Sequence, residues 1–200
     1  HLSPDGKQVL FTGQSYTVKR KNKSGVYVYD RETGRTTELL KPRAYDLYDA
    51  LWWGEKILLL ATDGKRYGLN ENAQFYTLNP ASGEVALLAP YEDALGSSVG
   101  SDCRLGGGRE WVQEGDKLYF VTTLGGASQV YCLEEAGEIR PVYTQAGSVD
   151  CIDAAEGSLY FVGMQDGKLQ ELYRWDCQAQ ERDQLTTLNE KVLAGRYVAL

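Results

Sequence analysis

Short apolar runs, each introduced by a glycine-containing polar turn, recur along this chain. Four segments begin this way: Asp5-Gly6-Lys7-Gln8-Val9-Leu10-Phe11, Gly54-Glu55-Lys56-Ile57-Leu58-Leu59-Leu60, Gly115-Asp116-Lys117-Leu118-Tyr119-Phe120-Val121 and Glu156-Gly157-Ser158-Leu159-Tyr160-Phe161-Val162. A fifth, Ala194-Gly195-Arg196-Tyr197-Val198-Ala199-Leu200, stops at the last residue. Each of the four is followed by a second run rich in Tyr and Val: Val26-Tyr27-Val28-Tyr29, Phe75-Tyr76-Thr77-Leu78, Val130-Tyr131-Cys132-Leu133 and Leu172-Tyr173-Arg174-Trp175. β-Branched and aromatic residues in short runs between turn residues predict strands. Tight turns come next, as Asp30-Arg31-Glu32-Thr33-Gly34, Asn79-Pro80-Ala81-Ser82-Gly83 and Glu134-Glu135-Ala136-Gly137. Their closing glycine supplies the left-handed residue that such hairpin loops need. The fourth copy, Asp176-Cys177-Gln178-Ala179-Gln180, lacks it. Third strands follow, for example Thr36-Thr37-Glu38-Leu39-Leu40 and Glu84-Val85-Ala86-Leu87-Leu88.

Equivalent positions Val9, Ile57, Leu118, Leu159 and Tyr197 are spaced by 48, 61, 41 and 38 residues. The shorter intervals set a unit of about 40 residues, the period of a four-stranded propeller blade. The expected fold is therefore all-β: a β-propeller fragment of about four four-stranded antiparallel blades plus the start of a fifth. The blades fall at about 2–45, 46–90, 109–147 and 148–189, with the next starting at 190–200, all within one partial domain over 1–200. A polar loop at 62–72 and a glycine-rich insertion at 91–108 account for the longer intervals. No segment sustains a 3.6-residue apolar period, so helices should be scarce. Blades bury their apolar residues only against neighbouring blades, so the two end faces predict self-association, ring closure or cover from a longer parent chain.

Composition adds limits. The net charge of −7 argues against nucleic acid or an anionic membrane as partner. The longest apolar run, at 57–61, is too short to span a bilayer, and the amino end lacks the layout of a signal peptide. The chain starts at His1 and stops inside an apolar stretch at Leu200, so both ends are read as fragment boundaries. Cys103, Cys132, Cys151 and Cys177 show no two-residue spacing, and there is a single His, so no metal site or cofactor is expected. Cys132 and Cys151 read as small core residues, and the cysteine usage points to a reducing, cytoplasmic compartment.

One motif looks catalytic. Gly96-Ser97-Ser98-Val99-Gly100 matches the nucleophile-elbow pattern, and Gly106-Gly107-Gly108 follows it. An elbow needs a strand before it, a helix after it and a general base nearby. The flanking residues predict neither element, and the only His is His1. Ser98 is therefore read as a chance match. The carboxylate pairs Glu134-Glu135 and Glu92-Asp93 fall in turns, and Lys19-Arg20-Lys21-Asn22-Lys23 reads as a solvated loop tip. The loops Asp63-Gly64-Lys65-Arg66-Tyr67-Gly68-Leu69-Asn70-Glu71-Asn72 and Ser101-Asp102-Cys103-Arg104-Leu105-Gly106-Gly107-Gly108-Arg109 combine charged residues with glycines. Two roles stay open for them: ties between neighbouring blades, or contact with a substrate or partner domain.

The phrases Leu2-Ser3-Pro4-Asp5-Gly6-Lys7 and Val26-Tyr27-Val28-Tyr29-Asp30-Arg31-Glu32-Thr33-Gly34 resemble the propeller domain of the prolyl oligopeptidase family. The runs 63–75 and 96–109, with Val99-Gly100-Ser101-Asp102-Cys103-Arg104, resemble its acylaminoacyl-peptidase and dipeptidyl-peptidase-like branch. The resemblance implies a serine peptidase whose propeller caps an α/β-hydrolase domain and restricts entry to short peptides. It also implies that the Ser, Asp and His of the triad lie in that domain, which is absent from this chain, so the fragment itself is not an enzyme. Arg66, Asp102, Arg104 and Arg109 are the candidates for contacting the hydrolase domain or the peptide. The alternative is a stand-alone, TolB-like propeller that binds a protein or ligand.

Overall fold

The computed structural model describes residues 1–14, 23–42, 44–100 and 106–196. Four antiparallel sheets follow one another in chain order. The first comprises β1 (Gln8–Gln14), β2 (Ser24–Asp30) and β3 (Thr36–Leu40). The second comprises β4 (Asp46–Trp53), β5 (Lys56–Thr62), β6 (Gln74–Leu78) and β7 (Val85–Ala89). The third holds β8 (Trp111–Glu114), β9 (Lys117–Leu124), β10 (Ala127–Glu134) and β11 (Ile139–Tyr143). The fourth holds β12 (Cys151–Ala155), β13 (Ser158–Gly163), β14 (Glu171–Asp176) and β15 (Glu181–Gln184). Contacts group them into two compact units, His1–Glu92 and Asp93–Leu200.

The recurring turn-and-strand signal marks the second strand of each four-stranded sheet. The strand before it, β4, β8 or β12, has only one hydrogen-bonded neighbour. The first sheet departs from the expected four strands. Among the described residues only a bridge between Leu2 and Val9 lies ahead of β1. One helical turn, α1 (Glu190–Leu193), lies where the fifth blade was expected to start, and its strand at 197–200 lies outside the described residues.

The same positions pack in both units. In the first, Leu10, Val26 and Val28 of the first sheet meet Ile57, Leu59, Tyr76 and Leu78 of the second. In the second, Tyr119, Val121, Val130 and Cys132 meet Leu159, Phe161, Tyr173 and Trp175. Register makes these sets equivalent: Leu10 pairs with Val28 as Tyr119 pairs with Cys132, and Leu59 pairs with Tyr76 as Phe161 pairs with Tyr173. Alternation along a strand sends neighbouring residues to opposite faces, so one apolar run serves two interfaces. Each large side chain so buried contributes about 1.5–3 kcal/mol. Cys132 follows the expectation of a core residue, and burial pushes its thiol up to about 11. Cys151 does not: it is half-buried at the start of β12, where its side chain lies against Gly108.

The last strand of three sheets carries a β-bulge at the same place. Leu39, Leu88 and Val142 are the extra residues opposite Val26/Tyr27, Phe75/Tyr76 and Val130/Tyr131. In the fourth sheet the ladder runs unbroken from Tyr173–Gln184 to Asp176–Glu181.

The glycine-free fourth turn adopts the geometry of the first two. Gly34 N–H donates to Asp30 O (2.9 Å), Gly83 N–H to Asn79 O (2.8 Å) and Gln180 N–H to Asp176 O (2.8 Å). Asp176 Oδ1 caps the turn by accepting from the Gln178 and Ala179 N–H groups, as Asp30 Oδ1 does from Glu32 and Thr33. Gln180 is thereby held at φ 57°, against 69° for Gly34 and 73° for Gly83. A side chain at such φ is strained by about 1–2 kcal/mol, which the greater backbone entropy of glycine partly offsets. Gln180→Gly is therefore expected to stabilise the protein by about 0.5–1 kcal/mol. An upward shift of the urea midpoint with unchanged slope would show it, whereas a downward shift would refute the strain.

Candidate functional site

The 63–72 loop leaves the end of β5 and is built around a buried carboxylate. Glu71, 4% exposed, accepts from Thr62 Oγ1 (2.6 Å) and from the N–H groups of Arg66 and Tyr67 (2.7 Å each). The Thr62 hydroxyl and the Tyr67 N–H hold its carboxyl below the usual carboxylate range against the opposing effect of burial. Lys23 Nζ donates to the Asp63 carbonyl (3.0 Å), and Lys65 pairs with the Asp63 carboxylate (2.8 Å). These bonds present Arg66, Tyr67 and Leu69 outward, with Tyr67 60% and Leu69 88% exposed. The Arg66 guanidinium pairs with Glu92 and lies over the Tyr67 ring, 4.8 Å from its centroid. Both members of that ion pair are more than half exposed, so it orients the arginine rather than stabilising the fold.

In the second unit the glycine-rich insertion is partly a sheet edge. β8 pairs only with the first half of β9, ending at Trp111 opposite Phe120. The insertion takes over the second half. Gly96 N–H donates to Val121 O (2.7 Å), Leu95 bridges Thr122, and Ser98 N–H donates to Thr123 Oγ1 (2.8 Å). Glu110 Oε1 accepts the Ser97 N–H (2.8 Å). Residues 97–100 form no helix, so the strand–turn–helix context of a nucleophile elbow is missing at Ser98. His1, the only imidazole, is engaged by Asp49 at 3.0 Å in the other unit.

At the same end of the second unit, a buried polar network links the third and fourth sheets. Asp150, 2% exposed, accepts from Ser148 Oγ (3.0 Å) and Gln170 Nε2 (2.6 Å), and Ser97 Oγ approaches it at 3.5 Å. Ser97 Oγ also lies 2.6 Å from Ser128 Oγ. Gln165 Nε2 donates to Ser148 O (2.7 Å), while its Oε1 accepts from Tyr143 OH (2.7 Å) and Arg182 Nη1 (2.9 Å). Gly163 makes this junction possible, because a Cβ there would lie 1.9 Å from the Ser148 carbonyl oxygen. The network holds strands at fixed separation. It contains a hydroxyl and a carboxylate but no imidazole to move a proton between them.

The four proposed contact residues are distributed as follows. Arg66 is exposed at the loop tip of the first unit. Arg109 is exposed in the second, where its carbonyl accepts the Ile152 N–H (2.8 Å) and ties the residue before β8 to β12. Asp102 and Arg104 lie outside the described residues, as do Cys103 and most of the basic loop at 19–23. Sequence reasoning missed the Asp150 network, whose members are single polar residues scattered between 97 and 182. It also missed an open groove of about 580 Å³ beside α1, lined by Lys168, Glu171, Gln184, Asn189, Glu190 and Leu193 among others. Among the described residues no cluster of three or more His, Cys, Asp or Glu side chains is placed to hold a metal, and no helix is long and apolar enough to cross a membrane.

Repeated four-stranded antiparallel sheets packed face to face, with equivalent positions buried in each pair, define the fold as that of a β-propeller fragment. Solved structures agree. The chain is similar to acylaminoacyl peptidase from Pyrococcus horikoshii, at 22% identity and a TM-score of 0.68, over 94% of this chain and 27% of that one. It is similar to the β-propeller domain of the Trilobed protease from Pyrococcus furiosus, at 19% identity and a TM-score of 0.66, over 92% of this chain and 53% of that one. TolB from Acinetobacter baumannii matches at 16% identity and a TM-score of 0.60, over 92% and 42% of the two chains. The chain thus spans about a quarter of the first peptidase's length and about half of the Trilobed propeller's. No protein-family model matches the sequence, and no curated protein does.

Proposed function

We propose that this chain is part of the non-catalytic propeller of a serine peptidase of the prolyl oligopeptidase family, both compact units belonging to that one propeller. In this reading the propeller restricts access of short peptides to an α/β-hydrolase domain elsewhere in the same protein. The observation that carries it is the agreement of the sheet repeat with an acylaminoacyl peptidase over 94% of the chain. The absence of any His other than His1 supports placing the catalytic triad outside these residues. Arg66 is the best-formed contact candidate, since Glu71 and Glu92 hold it beside two exposed apolar side chains. Arg109, Asp102 and Arg104 are proposed for the same role on the second unit. The free thiols of Cys132, Cys151 and Cys177 fit a reducing, cytoplasmic setting.

The similarity to TolB supports a second reading, a propeller that binds a protein or ligand without any attached enzyme. Peptidase activity separates the two. Short acyl-peptide reporters are expected to be cleaved by the longer protein that contains this chain and left intact by the chain alone. Cleavage by the chain alone would overturn the non-catalytic assignment, and cleavage by neither would favour the binding module. In an active longer protein, Arg66→Ala is expected to lower kcat/KM for peptides by about tenfold, or about 1.4 kcal/mol, while leaving thermal stability unchanged. Unchanged kinetics would remove Arg66 from the contact surface.

A further inference from the structure

The loop between β5 and β6 holds its tip in a fixed shape and leaves most of one guanidinium unused. Gly64 (φ 69°) and Gly68 (φ 72°) turn the chain back over Glu71. Thr62 Oγ1 accepts the Gly64 N–H (3.0 Å), and Asp63 Oδ1 accepts the Lys65 N–H (3.0 Å). Asn72 Nδ2 donates to the Glu92 carbonyl (2.8 Å), tying the far side of the loop to the residue that faces Arg66. With Glu71 already holding the N–H groups of Arg66 and Tyr67, the backbone of the tip is set before any ligand arrives. That removes the ordering cost that weakens binding by a flexible loop.

The Arg66 side chain is the exception to this saturation. Among the described residues its guanidinium makes one hydrogen bond, from Nη1 to Glu92 Oε1, and the side chain is 57% exposed. A guanidinium carries five N–H donors in a planar fork. The edge formed by Nε and Nη2, which can grip a carboxylate through two parallel bonds, is therefore open. The Tyr67 ring supports the guanidinium, and Leu69 projects from the same tip, 88% exposed. A donor fork beside an aromatic ring and an aliphatic side chain is what the last residue of a peptide needs: bonds for its carboxylate and apolar surface for its side chain. The patch is too small to seat a whole domain, since a stable protein interface buries about 800 Å² on each partner. Nor is it a face of the sheet stack. It projects from the end of the second sheet, between that sheet's two middle strands, and every residue that holds it lies between Lys23 and Glu92. Propeller sheets pack through their faces, so further sheets at either end of the stack do not cover this tip.

We propose that the tip of this loop binds the C-terminal carboxylate of a short peptide, with Arg66 holding the carboxylate and Tyr67 and Leu69 lying against the last side chain. The choice of a peptide as ligand rests on the peptidase reading above. The loop then selects peptides that end in a free carboxylate and an apolar residue.

Binding of paired peptides to the 200-residue chain tests this without calling on peptidase activity. The pair is a short peptide ending in leucine, with its C-terminus either free or amidated, and calorimetry reads the affinity. The free acid is expected to bind about tenfold more tightly than the amide. Arg66→Ala is expected to reduce the acid to the affinity of the amide, and Arg66→Lys, which keeps the charge but not the fork, to restore only part of the difference. Acetylating the peptide's amino end is expected to change nothing. Equal affinity of the wild type for acid and amide overturns the proposal. So does a preference that survives Arg66→Ala, or one that follows the amino end. The longer protein is expected to show the same preference. A preference shown by the chain and absent from the longer protein would mean that a carboxylate of that protein occupies the fork, which overturns the peptide assignment. Preferential binding of the acid by a longer protein that cleaves no peptide would refute the peptidase reading and uphold the carboxylate site.

Discussion

Replacing Phe161 by Ala is expected to destabilise the protein by about 3–5 kcal/mol, the range for removing a fully buried aromatic ring. Phe161 is 1% exposed and lies between two rings, 4.8 Å from Tyr143 and 5.3 Å from Tyr173 by centroid distance. Trp175 closes the cluster against Tyr143 at 5.1 Å. The neighbours are poorly able to collapse into the space. Tyr143 is anchored through its hydroxyl to Gln165 and Arg182, and Arg182 lies over the Tyr173 ring, 5.2 Å from its centroid. A domain of about 100 residues has some 5–15 kcal/mol of stability in all, so this one change consumes a large share of it. The control is Phe11→Ala, which truncates the equivalent side chain on a face that is still 41% exposed, and should cost less than about 1 kcal/mol in the monomer. Urea unfolding measures both. Equal losses at the two sites would mean that the first sheet's outer face is as well covered as the core.

Glu171→Gln should cost about 2–3 kcal/mol at neutral pH, and it should also change how the protein responds to acid. Glu171 is 4% exposed and accepts four hydrogen bonds: from Thr186 Oγ1 (2.6 Å), the Leu188 and Asn189 N–H groups (2.9 Å each) and Asn189 Nδ2 (3.0 Å). Burial by itself raises its pKa. The hydrogen bonds from Thr186, Asn189 and Leu188 outweigh it and bring the value down to about 2. A carboxylate whose pKa is lower folded than unfolded binds more protons in the unfolded chain. Its contribution is therefore complete above the ordinary value of 4.5 and is lost as the pH falls towards 2. Glutamine keeps the volume but turns an amide towards donors that need an acceptor. The wild type should lose stability steeply between about pH 4.5 and 2, and the variant should start lower and lose less over that range. Parallel pH profiles would show that Glu171 is not the group being titrated.

Glu171 and Glu71 also mark the limit of what pattern reading reaches. Each sits in a polar stretch and looks like any solvated glutamate. Each is buried only because the chain turns back over it and aims backbone N–H groups at its carboxylate. That convergence depends on where residues 186–189 and 66–67 end up in space. The glycine-rich insertion is a similar case. Its composition predicts a loop, and its pairing with Val121–Thr123 arises only because β8 is too short to satisfy the far half of β9. Gln180 shows the converse, since Asp176 and the two flanking strands impose a left-handed turn on a residue that does not favour it.

The order of the sheets and the last three strands of each were legible without coordinates, although in the four-stranded sheets the turn-introduced run is the second strand and not the first. Those features come from local chemistry repeated about every 40 residues: alternating apolar side chains, and turns whose φ angles favour glycine. The first strands of the four-stranded sheets, β4, β8 and β12, were not read, because the glycine-containing turn that marks each repeat comes after them. Which of two apolar faces is covered, and by which sheet, was decided by tertiary structure. Alternation says only that a strand has two apolar faces. It takes the registers Leu59–Tyr76 and Phe161–Tyr173, and the sheets packed against them, to assign each face its neighbour.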